Sequence, residues 1–137
     1  MNEAEIEKKV KRAEENHKNG CNCAQSVLCA FSDVLGADEK LLYQISEGFG
    51  LGMGRMETCG AVTAMFMALG LATSNGDPSQ GNTKPVTMKR IKALGKEFEE
   101  KNGSLICREL KGVDTGRVLR SCSGCIEDAV RILARNL

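Results

Sequence analysis

Residues 61–72, Ala61-Val62-Thr63-Ala64-Met65-Phe66-Met67-Ala68-Leu69-Gly70-Leu71-Ala72, form the longest apolar run in the chain. Within it Val62, Met65, Phe66 and Leu69 recur at the i, i+3, i+4, i+7 spacing of one helix face. The run is shorter than the ~20 residues a membrane span needs, so it predicts a buried helix and no membrane insertion. The same template fits Val27, Ala30, Phe31 and Val34 upstream, and Ile126, Ala129, Val130 and Leu133 downstream. A thinner stripe of Ile6, Val10 and Ala13 marks a charged N-terminal helix. Met88, Ile91, Leu94 and Phe98 mark another that ends near Asn102-Gly103, and a further helix joins Asp38 to Glu47. Breaks are expected at Asn19-Gly20, Gly36, Gly48 to Gly54, Ser74 to Pro85, Asn102-Gly103 and Gly112 to Gly116.

Strand signals are weak. Aromatic residues are 4% of the chain, and no segment alternates strictly between apolar and polar over five or more positions. The expected fold is all-α, a compact single-domain bundle of about five to six helices over residues 1–137. Hydrophobic residues at 42% and charged residues at 27% suit a globular domain. The 19 basic and 18 acidic side chains leave +1, so nothing electrostatic points to a nucleic-acid or anionic-membrane partner. Met1 to Lys11 is charged throughout with no apolar signal-peptide core, so a cytoplasmic location is expected.

Cysteine is the compositional outlier, with seven in 137 residues. An odd number cannot pair completely, and a chain with its own core has no need of a disulfide scaffold. Cys23 precedes Val27 by one helical turn, Cys59 precedes Val62, and Cys122 precedes Ile126. Each therefore falls at a helix start on the inward face, and Cys107 opens a short turn, Cys107-Arg108-Glu109-Leu110. A helix N-terminus offers unpaired N–H groups and the positive end of the dipole, which favour thiolate over thiol. The four lie far apart in sequence rather than in the C-x₂₋₄-C pairs of zinc fingers, so a site built from them is assembled by the finished fold. The competing reading is that cysteine is a small buried hydrophobe.

Five motifs resemble the C_GCAxxG_C_C family of redox-active proteins. They are Asn22-Cys23-Ala24-Gln25-Ser26-Val27, Gly48-Phe49-Gly50 through Met53-Gly54-Arg55, Thr58-Cys59-Gly60-Ala61, Gly103-Ser104 with Cys107-Arg108-Glu109-Leu110, and Cys122 ahead of Asp128-Ala129. The likeness runs from about Gly20 to Leu133 in the family's order. It implies four characteristic cysteines, Cys23, Cys59, Cys107 and Cys122, with Cys21, Cys29 and Cys125 as extras. A similar domain in split-Soret-type cytochromes is associated with an iron–sulfur cluster. One departure is Ala64, which stands where the family's CGAxxG motif has its second glycine. The fourth position stays open between Cys122 and Cys125, which form a C-x-x-C pair.

Three chemistries compete. In the leading one, Cys23, Cys59, Cys107 and Cys122 hold an iron–sulfur cluster of unspecified type for electron transfer or redox sensing, with a redox partner protein. In the second, no cofactor is needed: Cys59, expected to follow an N-cap at Thr58, is the nucleophile of thiol–disulfide exchange, and Cys122 with Cys125 is the dithiol. No strand precedes that pair, so a thioredoxin-like setting is missing. In the third, the same four thiolates hold a structural zinc ion in a helical interaction module. Self-association into a homo-oligomer is open to a helical protein of this size.

The remaining features are weaker. Gly48 to Gly54 carries glycine at every second position but does not fit G-x-G-x-x-G. Its expected role is to let backbone pass close to the cysteine site, with Arg55 supplying a positive charge. His17 reads as a helix-end histidine near the C-terminal dipole. Met53, Met56, Met65 and Met67 read as packing residues. No Ser/His/Asp set, carboxylate pair or phosphate loop supports a hydrolase or kinase.

Overall fold

The apolar run at residues 61–72 lies within α5, Gly60–Thr73, in a computed structural model that describes every residue from Met1 to Leu137. Val62, Met65 and Leu69 are fully buried, and Phe66 lies over Gly95 of the neighbouring helix. Around α5 the chain builds α1 (Glu3–Lys18), α2 (Cys23–Cys29), α3 (Ser32–Leu35), α4 (Glu39–Ser46), α6 (Lys84–Asn102), α7 (Cys107–Lys111) and α8 (Cys122–Asn136). The architecture is all-α, with no strand beyond one isolated bridge. No helix is long and apolar enough to cross a membrane.

The helix count exceeds the expected five to six because of two local events. Val27, Ala30, Phe31 and Val34 do not share one helix: α2 stops at Cys29, Phe31 takes φ −106°, ψ 10°, and α3 begins afresh. The break turns Phe31 fully into the core and leaves Val34 46% exposed. The second event is α7, a short helix that opens at Cys107.

α2 is the hub. It packs against α1, α4, α5 and α8. Every residue from Ala24 to Cys29 is buried, so only the first residue of this helix, Cys23, reaches solvent. Close approach depends on small side chains: Ala13, Ala24, Ala61, Ala64, Ala68, Ala129 and Ala134 are all fully buried. Large fully buried groups such as Phe31, Phe98, Leu28 and Met65 fill what remains. Ala64, the departure from the family glycine, has its methyl group within this core.

Helix starts are specified locally. Asn2 with Glu5 and Asn22 with Gln25 form capping boxes at α1 and α2, and the Ser121 hydroxyl accepts from the Gly124 N–H at α8. Helix ends are equally explicit at Gly103 and Gly112, which adopt the left-handed conformation after α6 and α7. These caps fix where the cysteine-bearing turns begin.

Candidate functional site

Four helix starts meet at one end of the bundle. Cys23, Cys107 and Cys122 are the first residues of α2, α7 and α8, and Cys59 occupies the N-cap position of α5. All four line one cavity of about 160 Å³. Cys125, one turn into α8, lines it as well. Thus five of the seven cysteines share a single space. Cys59, Cys107 and Cys125 are buried, while Cys23 and Cys122 are partly open to solvent.

Two backbone devices bring these starts together. At Gly60 an added Cβ would fall 2.7 Å from the Phe49 carbonyl oxygen, 3.1 Å from the Ala24 nitrogen and 3.3 Å from Cys23 Cβ. Only glycine lets the start of α5 abut the start of α2. The second device is the antiparallel bridge between Thr58 and Ile106. The Cys59 N–H donates to the Leu105 carbonyl at 2.8 Å, and the Cys107 N–H donates to the Glu57 carbonyl at 2.6 Å. Thr58 is therefore a bridge residue rather than the cap expected from its sequence position, and Cys59 takes the N-cap place itself. Farther along, the Leu119 N–H bonds the Leu110 carbonyl at 2.9 Å, tying the end of α7 to the approach to α8.

The glycine-rich segment reaches the cavity as expected, through Leu51 and Gly52. Leu51, Gly52, Met53, Gly54 and Met56 all have positive φ. A Cβ on Gly52 would lie 2.4 Å from the Glu57 nitrogen and 3.0 Å from Cys107 Cβ, so the loop is wedged against the bridge. Left-handed geometry at Leu51, Met53 and Met56 costs about 1–2 kcal/mol for each, and it persists because the loop is pinned at both ends. Arg55 does not supply the local charge: it is 77% exposed and pairs with Glu57 at 3.4 Å.

The charge comes instead from Lys111 and Arg120, which line the cavity. Lys111 follows Cys107 by four residues and so shares its helix face, a relationship that was present in the sequence. Arg120 is held by Asp128: Nε donates to Oδ2 at 3.0 Å and Nη2 to Oδ1 at 3.2 Å. Lys101 adds a third bond to Oδ1 at 2.6 Å. Asp128 is only 3% exposed as a side chain, and although burial pushes its pKa up, the Arg120 and Lys101 bonds overcome this and hold it below the usual carboxylate range. Gly124 makes room for the guanidinium, since a Cβ there would lie 2.4 Å from Arg120 Nε. His17 is indeed in the last turn of α1, and its imidazole also borders the cavity.

The thiols of the cavity perturb one another. The neighbouring Cys23 thiol, with Lys111, outweighs the cost of burial and brings Cys122 down to about 5. The neighbouring Cys125 thiol and the Ala61 and Val62 N–H groups outweigh burial and lower the Cys59 pKa. Cys23 and Cys125 are raised, first by Cys122 and Cys59 respectively and then by burial. Cys107 is raised by burial, with Lys111 opposing.

Cys21 and Cys29 are outside the cavity. Cys29 is buried in α2 with its S–H directed at the Glu39 carbonyl at 3.8 Å, and burial pushes it up to about 11. No three His, Cys, Asp or Glu side chains stand at the mutual spacing that a single metal ion requires. Neither the curated proteins nor the solved structures give a match to this chain. Residues 21–136 match the family model described as "Putative redox-active protein (C_GCAxxG_C_C)", and on that match, which covers all four helix-start cysteines, the chain belongs to this family.

Proposed function

We propose that Cys23, Cys59, Cys107 and Cys122 hold an iron–sulfur cluster that serves electron transfer or redox sensing. The observation that carries this reading is the convergence of four helix-start thiols on one cavity. The donor chemistry fits: four thiolates suffice for either a two-iron or a four-iron group. A single zinc ion fits less well, because Zn–S bonds of about 2.3 Å draw all four sulfurs to within roughly 4 Å of each other. Here the sulfurs border a space of about 160 Å³, and no ion-sized triad of ligands stands together.

Such a cluster supplies reversible one-electron transfer when bound. The protein's part is electrostatic and steric. Lys111 and Arg120 offset the negative charge that four thiolates bring, and N–H groups at the starts of α2, α5, α7 and α8 add positive potential. Both effects stabilise the more reduced, more negative state and so raise the reduction potential. Leu51 and Gly52 cover part of the cavity and limit water access. Partly open Cys23 and Cys122 give a redox partner protein its shortest route to the site. Reduced thiols of this kind accord with the cytoplasm.

Purification without oxygen, followed by visible absorption and by iron, zinc and sulfide analysis, tests the reading. A brown protein with matching iron and sulfide is expected, and Cys59→Ser abolishes both colour and iron. A colourless protein with one zinc per chain, or one that takes up no iron on anaerobic reconstitution, overturns it.

A further inference from the structure

Helix α5 is apolar on every side, yet one side of it is not covered. From Gly60 to Thr73 it carries no charged residue, and its two hydroxyls are turned back onto its own backbone. Thr63 Oγ1 donates to the Gly60 carbonyl at 3.0 Å, and Thr73 Oγ1 to the Leu69 carbonyl at 2.7 Å. A helix of that composition is normally enclosed. Here Thr63, Phe66, Met67 and Gly70, at the i, i+3, i+4, i+7 spacing of one face, are incompletely buried, and Leu71 is 48% exposed. A Cβ on Gly70 would meet nothing within 4 Å. The open face continues onto α6 through a groove of about 300 Å³, floored by Phe66, Ile91 and Leu105 and edged by Lys92 and Glu99.

The charges at the groove's edge select the occupant. Glu97 is paired with Arg135 and Glu100 with Lys96, but Lys92 and Glu99 have no ion-pair partner within the chain. α6 runs antiparallel to α5, since Thr73 Oγ1 lies 2.6 Å from Thr87 Oγ1 while Phe66 lies over Gly95. We propose that the α5–α6 face is where two copies of this chain pair, about a twofold axis that crosses both helices at the level of Phe66 and Gly95. Such an axis lays each helix antiparallel on its own copy. Thr63 then faces Gly70 of the second copy, where the missing side chain lets the backbones approach. Lys92 comes opposite Glu99 of the second copy, twice by symmetry, so the charges left unpaired in one chain neutralise each other in two. An axis along the helices would set Lys92 against Lys92 instead. The groove and the cysteine cavity share no lining residue, so pairing leaves both cavities accessible and is independent of what they hold.

Analytical ultracentrifugation of the full-length protein, kept reduced so that no intermolecular disulfide forms, tests this from micromolar to near-millimolar concentration. A dimer is expected. Gly70→Arg enters open space in the single chain and puts a cation near the C-terminal end of α5, which favours the helix. The variant should keep its helical circular dichroism and its stability while its dimer dissociation constant rises by about tenfold or more. Lys92→Glu and Glu99→Lys should each weaken pairing, and the two together in one chain should restore it, because the symmetric contact then sets Glu against Lys again. A chain that stays monomeric at every concentration, as it would if this face takes a different protein, overturns the proposal. So does a dimer unmoved by Gly70→Arg or by the single charge reversals, and so does one that the double reversal fails to restore.

Discussion

Gly60 sits against Cys23 so closely that a single methyl group would come within 3.3 Å of Cys23 Cβ while striking the Phe49 carbonyl at 2.7 Å. The site therefore depends on a residue with no side chain. Gly60→Ala gains helix propensity of about 1 kcal/mol but forces the starts of α2 and α5 apart. Overpacking of this kind costs about 1–3 kcal/mol, so the net expected change is a loss of up to about 2 kcal/mol in urea denaturation, with reduced iron binding. A variant as stable and as iron-replete as the wild type would show that the contact does not matter.

Gly124→Ala addresses a different contact. Its methyl group would collide with the Arg120 guanidinium, which is held by Asp128. Arg120 is expected to leave the cavity edge. The loaded protein should then show a more negative reduction potential, because one cation near the four thiolates is lost. Voltammetry of Gly124→Ala beside Arg120→Gln checks this, and the two should shift in the same direction.

Asp128 makes stability depend on pH. Its folded pKa is depressed, so its contribution is complete above the unfolded carboxylate value of about 4 and is lost as pH falls through the lower folded value. Asp128→Asn should cost about 1–3 kcal/mol at pH 7, since Arg120 and Lys101 remain able to reach water. Denaturation at pH 7 and pH 3 should show the wild-type advantage shrinking at the lower pH. A constant difference would place the effect elsewhere.

Cys122 should react as a thiolate in mildly acidic solution. With its pKa brought down to about 5, the metal-free protein should be alkylated by iodoacetamide at Cys122 at pH 6, where an ordinary thiol is nearly inert. Lys111→Met removes a nearby positive charge and should raise the midpoint of the rate profile by about one pH unit. An unmoved midpoint would mean that Lys111 has no part in stabilising this thiolate.

Much of this could be read before any coordinates. The helix-start positions of Cys23, Cys59 and Cys122 follow from apolar periodicity, because each lies one turn before an apolar stripe, and Cys107 reads as the opening of a short turn. Val34 misled because the period of a helix continues on paper through a backbone break at Phe31. Arg55 reads as the source of positive charge because it is close to Cys59 in sequence, whereas Arg120 has no such local signal: the Asp128 anchor and Gly124 gap that hold it act across turns of α8. Thr58 resembled a cap but belongs to a bridge whose partner, Ile106, is nearly fifty residues away. Long-range pairing of that kind leaves no local signature.

The Thr58–Ile106 bridge and the four converging helix starts also set a biosynthetic order. The cavity draws on residues from His17 to Cys125, so it does not exist until nearly the whole domain has left the ribosome. At about 5–20 residues per second, Cys23 is exposed for on the order of ten seconds before its last neighbours are made. During that interval it is an ordinary nascent thiol, vulnerable to whatever oxidants and stray metals the compartment contains. Insertion of the proposed cluster would then be a post-translational event on a finished scaffold, with the early cysteines kept reduced by the surroundings of the nascent chain.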